Sequence, residues 1–488
     1  MTSGSFDRLP PVKTATKGAA FPSHSILAVL TRHTDCPRCR TRRITCDRTL
    51  PHCRKCTSRN FVCPGYGVVL RWAQGVASRG RLAGRALPLR EEPEKPSAGM
   101  LIEPDLRSFD TVSSELLRHF DSGVASKLAW VDGPSNPWRH IILPLSHVSP
   151  TVLSSVLAIA AQDLAYKYTP DHPYPRRLRT ISFHYLGQAL SSLRQQLGAL
   201  RRTPGAAICP SQARCLLAST LLLYNLELLT PEAARWQLHI QGARAIIQEA
   251  IRCPNSLEEA DVFLFYEYYY ACVFIGLTTF DPTDGTPNDI PTHDRITIFS
   301  DFVRITHSVT QVERIKFTTG SNPQTLQLED VKEEIEVAKQ RTLHLSQAIQ
   351  FSSPAAQRDF AHLTCMYYHA SLIYSQRVLA DDVSSQEDSV QASREAILEH
   401  LENLTQRTNY AQDLVWPLFI AGTECRALPE KQELIERAMI DVMRVSGSLD
   451  RRRVLSFLQM FWRQDVDRYV NWIHFARTMS SGCGFLIL

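Results

Sequence analysis

The chain has 488 residues, 44% of them apolar, 21% charged and 9% aromatic, with a formal net charge of +5. These fractions exclude a wholly disordered or collagen-like chain, and the length leaves room for about two to four domains. No uninterrupted apolar run reaches the ~18 residues of a membrane span, because the richest stretch, Val262 to Leu277, holds Glu267 and several tyrosines.

Residues 1–31 are rich in Ser, Thr, Pro, Gly and Ala and read as a disordered leader. Within it, Ser25 to Leu30 is too short for a secretory signal core and is not followed by a small-residue cleavage pattern. The chain is therefore expected inside the cell, where thiols stay reduced, and its 13 cysteines need a reason other than disulfides. The first 90 residues carry 17 basic against 3 acidic side chains, a net of +14, while the remainder carries 37 against 46, a net of −9. A basic arm on a mildly acidic body points to an anionic partner for the arm.

Residues 32–66 hold six of the cysteines: Cys36, Cys39, Cys46, Cys53, Cys56 and Cys63. Their spacing is C-x2-C-x6-C, six residues, then C-x2-C-x6-C again, a duplication offset by 17 residues. A C-x2-C step that opens a helix aims two thiolates at one metal, and the third cysteine returns from beyond that helix. Structural zinc takes four ligands in a tetrahedron. Two zincs have eight ligand positions between them and only six cysteines are present, so two thiolates must bridge both metals. The internal symmetry leaves three equivalent pairs for the bridge: Cys36 with Cys53, Cys39 with Cys56, or Cys46 with Cys63. His33 and His52 are expected to face solvent rather than a metal.

This segment closely resembles the zinc binuclear cluster of fungal transcription factors, in which six cysteines hold two zincs. The resemblance rests on the cysteine spacing, on C-R-x-R-R-x-x-C-D at Cys39 to Asp47, on the loop proline Pro51, and on Cys63-Pro-Gly-Tyr-Gly67 with Leu70-Arg-Trp72. It implies two Zn(II) as cofactors, with Cys36 and Cys53 as the bridging ligands. One zinc would be held by Cys36, Cys39, Cys46 and Cys53, the other by Cys53, Cys56, Cys63 and Cys36. It also implies double-stranded DNA as the partner, with Arg42 and Arg43 approaching the base edges of a CGG-type triplet. The family commonly has a lysine before the third cysteine, where this chain has Thr45.

The residues support such a role on their own account. Six thiolates and two zincs sum to −2, and residues 32–90 carry 14 basic against 2 acidic side chains, so the loaded segment stays near +10. That charge neutralises several phosphates and makes binding steeply salt-dependent. Arg40, Arg42 and Arg43 lie within about one helical turn of Cys39, and arginine's fork pairs bidentately with guanine O6 and N7. Arg54, Lys55 and Arg59, on the second half, are expected to contact phosphates, which position without specifying.

Residues 67–104 mix Gly, Pro and arginine and read as a basic linker. No sustained heptads run through residues 67–110, so any homodimer is expected to form through the body rather than a linker zipper. From about residue 105 to 488 the apolar periodicity is helical. Ser149-Pro150 reads as an N-cap and first-turn proline, followed by Leu153, Val156, Leu157, Ala160 and Leu164 on one face. Ile181 to Leu197, Leu216 to Leu229, Leu238 to Ile247, Val262 to Leu277 and Val454 to Ala476 continue the pattern. Strand-like alternation is rare, so the fold is expected to be mostly α, a small metal module joined to a large all-helical domain.

That large domain resembles the second type of fungal-specific transcription factor regulatory domain. The carriers are Leu116-Leu-Arg-His-Phe120, Asn136-Pro-Trp-Arg139 with Leu143-Pro-Leu-Ser-His147, Val156 to Ala161, Trp236 to Ala243, and Phe457 to Trp462. The resemblance implies a regulatory domain that senses a small-molecule effector or binds transcription machinery or co-regulators. Trp138, Trp236, Trp462 and Trp472 are expected in the core rather than around a ligand. Phe263 to Tyr270 is expected as a buried helix rather than an activation segment. Cys209, Cys215, Cys253, Cys272, Cys365, Cys425 and Cys483 lack ligand spacing and are expected as buried small hydrophobes. No P-loop, nucleophile elbow, zinc-protease helix or dinucleotide fingerprint occurs, so no catalytic residue and no enzyme is expected. The expected function is sequence-specific, zinc-dependent regulation of RNA polymerase II transcription in the nucleus. The alternative is a co-regulator that works mainly through protein partners of the helical domain.

Overall fold

The computed structural model describes residues 36, 38–39, 42, 44–47, 53–59, 61 and 63 of the cysteine-rich segment. Of the body it describes residues 106–168, 173–202, 208–229, 236–251, 257–280, 297–320, 326–380, 384–448, 451–464 and 471–479. The leader 1–31 and linker 67–104 of the sequence reading lie outside these. The chain divides into two units, Met1–Leu101 and Ile102–Leu488. Among the described residues every regular element is helical, as the periodicity requires.

In the first unit a short helix, α1 (Arg54–Thr57), starts after Cys53 and buries Cys56. The second unit begins with α2 (Leu106–His119), a π-turn at Phe120–Val124 and α3 (Ala125–Leu128). The Asn136-Pro-Trp-Arg139 motif forms α4 (Pro137–His140): the Asn136 side chain accepts from Trp138 N at 2.9 Å, and proline occupies the first turn, where its missing N–H is harmless. After α5 (Ile142–Val148), Ser149 caps α6 (Pro150–Tyr166) by accepting from Val152 N. Then come α7 (Pro173–Arg202), α8 (Pro210–Leu228) and α9 (Trp236–Ile251), with α6 packed along α7 and α8 packed against α9. Their inward residues, from Leu116 to Ile247, form one apolar core.

A second core is built by α11 (Ser300–Thr319), α12 (Leu328–Ser346), α13 (Pro354–Leu379), α14 (Glu387–Asn403), α15 (Val415–Thr423), α16 (Pro429–Ser446), α17 (Arg452–Trp462) and α18 (Trp472–Thr478). Between the cores lies α10 (Glu259–Thr278). Its Leu264, Phe265 and Tyr268 face the first core, and its Tyr270, Val273, Phe274 and Leu277 face the second. A helix that is apolar all round is a buried helix. Among the described residues α10 is the one helix long and apolar enough to cross a membrane, and most of it is buried inside the body.

Polar groups inside the body are paired across elements. Asp163, buried in the last turn of α6, accepts from Lys127 and bonds His119 at 2.8 Å. Burial would raise its carboxyl, but the His119 and Lys127 partners hold it below the usual carboxylate range. At the start of α11, Phe299 is fully buried with φ +62°, a left-handed conformation rare for a bulky residue. The rings of Tyr367, Trp130 and Phe360 surround it, at centroid distances of 4.6, 4.9 and 5.5 Å.

Two expectations are corrected. The apolar repeat from Val454 to Ala476 is two helices, α17 and α18, and the polar sequence Arg463-Gln-Asp-Val-Asp-Arg468 interrupts the apolar pattern after the first of them. Asn471 then starts α18 as a new cap, accepting from His474 N at 3.0 Å. Cys209 is exposed, since it occupies the N-cap of α8 rather than a helix face; Cys215 and Cys365 are half-buried, and Cys272 and Cys425 are buried as expected. Cys253 and Cys483 lie outside the described residues. Trp138, Trp236 and Trp472 are fully buried, and Trp462 is partly so.

Candidate metal centre and nucleic-acid interface

All six cysteines of the cluster are buried, and among the described residues only Ile44 and Phe61 pack against the sulfurs as apolar side chains. The sulfurs therefore occupy the place that side-chain packing holds in a larger domain. The Sγ of Cys36 lies 3.6 Å from that of Cys53 and 3.8 Å from that of Cys56, and Cys39 Sγ has the same two distances to Cys53 and Cys56. A tetrahedron of zinc–sulfur bonds of about 2.3 Å has edges of about 3.8 Å, so this spacing fits thiolate ligation of zinc. Cys36, Cys39, Cys53 and Cys56 form one close group, and Cys46, Asp47 and Cys53 form another. Cys53 belongs to both. Cys63 is buried beside them.

Burial pushes the Cys36 thiol up to about 12, and moves Cys39 and Cys53 in the same direction. Crowded, buried sulfurs of this kind become thiolates only against a compensating cation, so metal uptake expels their protons.

The backbone repeats with the cysteines. Ile44 N donates to Cys39 O at 3.1 Å, and 17 residues later Phe61 N donates to Cys56 O at 3.0 Å. The two halves are thus alike in fold as well as in spacing. One side chain has no counterpart in the other half. The carboxylate of Asp47 accepts from the backbone N–H of Arg54 at 3.1 Å and of Lys55 at 2.8 Å, capping α1. An acceptor at a helix N-terminus satisfies donors that the helix itself cannot. The residue at the equivalent place after Cys63 is Pro64.

Of the expected DNA contacts, Arg54 and Lys55 are exposed on α1 and Arg59 is exposed just beyond it. Thr45 is exposed too. Arg42 is half-buried, its guanidinium 4.7 Å from the centroid of the Phe61 ring, and Nη1 is buried without a hydrogen-bond partner. Arg40 and Arg43 lie outside the described residues. Sequence reasoning missed Arg38, which is exposed and stacks on the same Phe61 ring at 4.6 Å. The 17-residue offset holds the signal for this ring, because it makes Phe61 the counterpart of Ile44.

Residues 34–73 match the family model described as the fungal Zn(2)-Cys(6) binuclear cluster domain, and residues 115–483 that of the fungal specific transcription factor domain. The chain is 26% identical over 225 residues to the Zn(2)-C6 fungal-type transcription factor afumD of Aspergillus fumigatus, covering 45% of this chain and 54% of that protein. Over 38 residues it is 50% identical to the acriflavine sensitivity control protein acr-2 of Neurospora crassa, 8% of this chain and 6% of that one. Over 41 residues it is 44% identical to arginine metabolism regulation protein II of Saccharomyces cerevisiae, 8% and 5% respectively. The chain thus spans about half the length of the first relative and about a twentieth of the other two. No solved structure matches it.

Proposed function

Because this chain belongs to the fungal-specific transcription factor family, with a Zn(2)-Cys(6) cluster that binds two zinc ions and DNA, we propose that it reads CGG-type triplets in the major groove and regulates RNA polymerase II transcription in the nucleus. It is a transcription factor and not an enzyme. The proposed division is a leader at 1–31, the cluster at 32–66, a linker at 67–104 and the helical regulatory domain at 105–488.

The observation that carries the reading is the buried sulfur cluster with cationic side chains on its outside. The membership of Cys53 both in the four-sulfur group and in the group with Cys46 and Asp47 supports its bridging role. Cys36, its equivalent 17 residues earlier and 3.6 Å away, is then the second bridge. The first zinc takes Cys36, Cys39, Cys46 and Cys53, and the second takes Cys53, Cys56, Cys63 and Cys36. Arg42 and Arg43 would read the base edges, with Arg40 as a further DNA contact, and the Phe61 ring lies against the Arg42 fork. Arg54, Lys55 and Arg59 grip phosphates and set the register. Two readers would pair through the helical body, which also receives co-regulators.

A selection from random duplexes with the full chain tests this reading. CGG triplets should be enriched, and their spacing and repetition would report the pairing. Recovery of DNA without sequence preference would sink the base-reading role and favour a co-regulator. Cys53→Ser should release both zincs, measured by metal analysis of the purified protein; one retained zinc equivalent would exclude the shared ligand.

A further inference from the structure

The long apolar helix between the two cores, α10, carries a carboxylate near its centre. Glu267 of α10 has neither a hydrogen bond nor an ion pair among the described residues, and its carboxyl is enclosed by its surroundings. It opens onto two adjoining cavities, which share Trp130, Glu267 and Tyr270 in their walls. The larger, about 460 Å³, falls within the range of sites for drug-sized molecules. Its walls are aromatic, with Trp130, Trp138, Phe263, Tyr266 and Tyr270. Its charged lining is Glu267 and, on exposed surface at the start of α10, Glu259; no lysine, arginine or histidine lines it among the described residues.

The smaller cavity, about 60 Å³, is lined on its far side by Asp413. Asp413 is a second carboxylate, half-buried as a residue, and its buried Oδ2 has no hydrogen-bond partner among the described residues. The cations nearby are engaged elsewhere: Lys127 is bound to Asp163, and Arg451 bonds Ser446 and Gln412. Two carboxyls thus face the same space; Lys127, which also lines the smaller cavity, is paired with Asp163, and Arg451 acts on Asp413 through its charge. An unpaired charge removed from water is costly, and the faces of aromatic rings attract cations.

We propose that the helical body binds an organic cation, its ammonium seated between Glu267 and Asp413 and its apolar part among the rings of the larger cavity. An anion would meet two carboxyls, and a neutral molecule would bring no charge to set against them. The inference is independent of the DNA-reading proposal, since it is measured on the body whatever sequence the cluster selects.

Equilibrium dialysis of the full chain against matched naphthalene probes at pH 7.5 tests it. The probes are naphthylalkylamines with one to four methylenes, their N-acetyl derivatives, and the naphthylalkyl carboxylates. At least one amine should bind saturably, and at least tenfold more tightly than its neutral amide or its carboxylate counterpart. Glu267→Gln and Asp413→Asn should each weaken the amine at least tenfold and leave the amide within about twofold. Glu433→Gln, on the exposed face of α16 and in the wall of neither cavity, should change neither. Circular dichroism establishes that each variant is folded, and the two inner substitutions stand in for one another should either fail. Equal binding of amine and amide, amine binding indifferent to both inner substitutions, or no saturation by any amine up to millimolar concentration would overturn the proposal.

Discussion

Asp47 is a single side chain joining two halves of a repeat. It follows the third cysteine of the first half and caps the helix of the second. Loss of such a cap costs about 1 kcal/mol in most helices, and here the capped helix carries Cys56 between the sulfurs. Asp47→Ala is expected to weaken zinc retention against a competing chelator, while Asp47→Asn, which keeps an acceptor, should restore part of it. Equal retention in all three proteins would show that the cap does not support the metal site. Arg43 is the sharpest test of base reading: Arg43→Ala should cost roughly 1–3 kcal/mol on a selected site and little on random DNA. A uniform loss on both would reassign Arg43 to phosphate contact. Phe61 sits beneath two arginines, and Phe61→Leu should remove about 0.5–1 kcal/mol of cation–π attraction and blur the selectivity that Arg42 supplies.

Among the helices, closeness is set by one residue without a side chain. A Cβ on Gly422 of α15 would lie 2.9 Å from Leu458 Cδ1 of α17 and 3.3 Å from Ile435 Cγ2 of α16. The Gly422 carbonyl also accepts from Trp462 Nε1 at 2.7 Å. Gly422→Ala should therefore destabilise the body by roughly 1–3 kcal/mol in denaturant unfolding; an unchanged midpoint would mean that Leu458 can turn aside. The elements legible in the sequence were those with a chemical start signal or a strict period. Ser149-Pro150 and Asn136-Pro137 announced their helices, and the six cysteines announced the metal module through spacing alone. The break between α17 and α18 was hidden, because periodicity survives a short polar interruption and only the Asn471 cap shows the restart. The grip of Arg38 on Phe61 was hidden for a related reason. Spacing assigns ligands, whereas a ring contact depends on how the loop returns.

At the scale of the whole body, α10 divides the apolar interior and carries its anomaly. Glu267 looked in the sequence like an interruption of an apolar run; in the fold it faces a cavity that no periodicity could reveal. Burial pushes its carboxyl up to about 8, against roughly 4.3 for an ordinary glutamate. Between those values the folded protein keeps a proton that the unfolded chain releases, so its stability falls as pH rises through that window. The slope from this group approaches about 1.4 kcal/mol per pH unit. Asp413, which faces Glu267, is raised by burial as well, with Arg451 opposing, and Tyr266 and Tyr270 lie beside them. Glu267→Gln should be at least as stable as the parent at pH 7.5, and the gap between the two should close toward pH 4.5. Parallel stability curves from calorimetry would show that water reaches the carboxylate freely.

The proposed sharing of Cys36 and Cys53 between two zincs has a consequence for how the protein meets scarcity. When each ion's seat is completed by a ligand that the other ion also uses, the first to leave loosens the second. A population short of zinc then separates into intact molecules and emptied ones, with few in between. Falling supply would reduce how many copies can engage a promoter without altering what each remaining copy recognises.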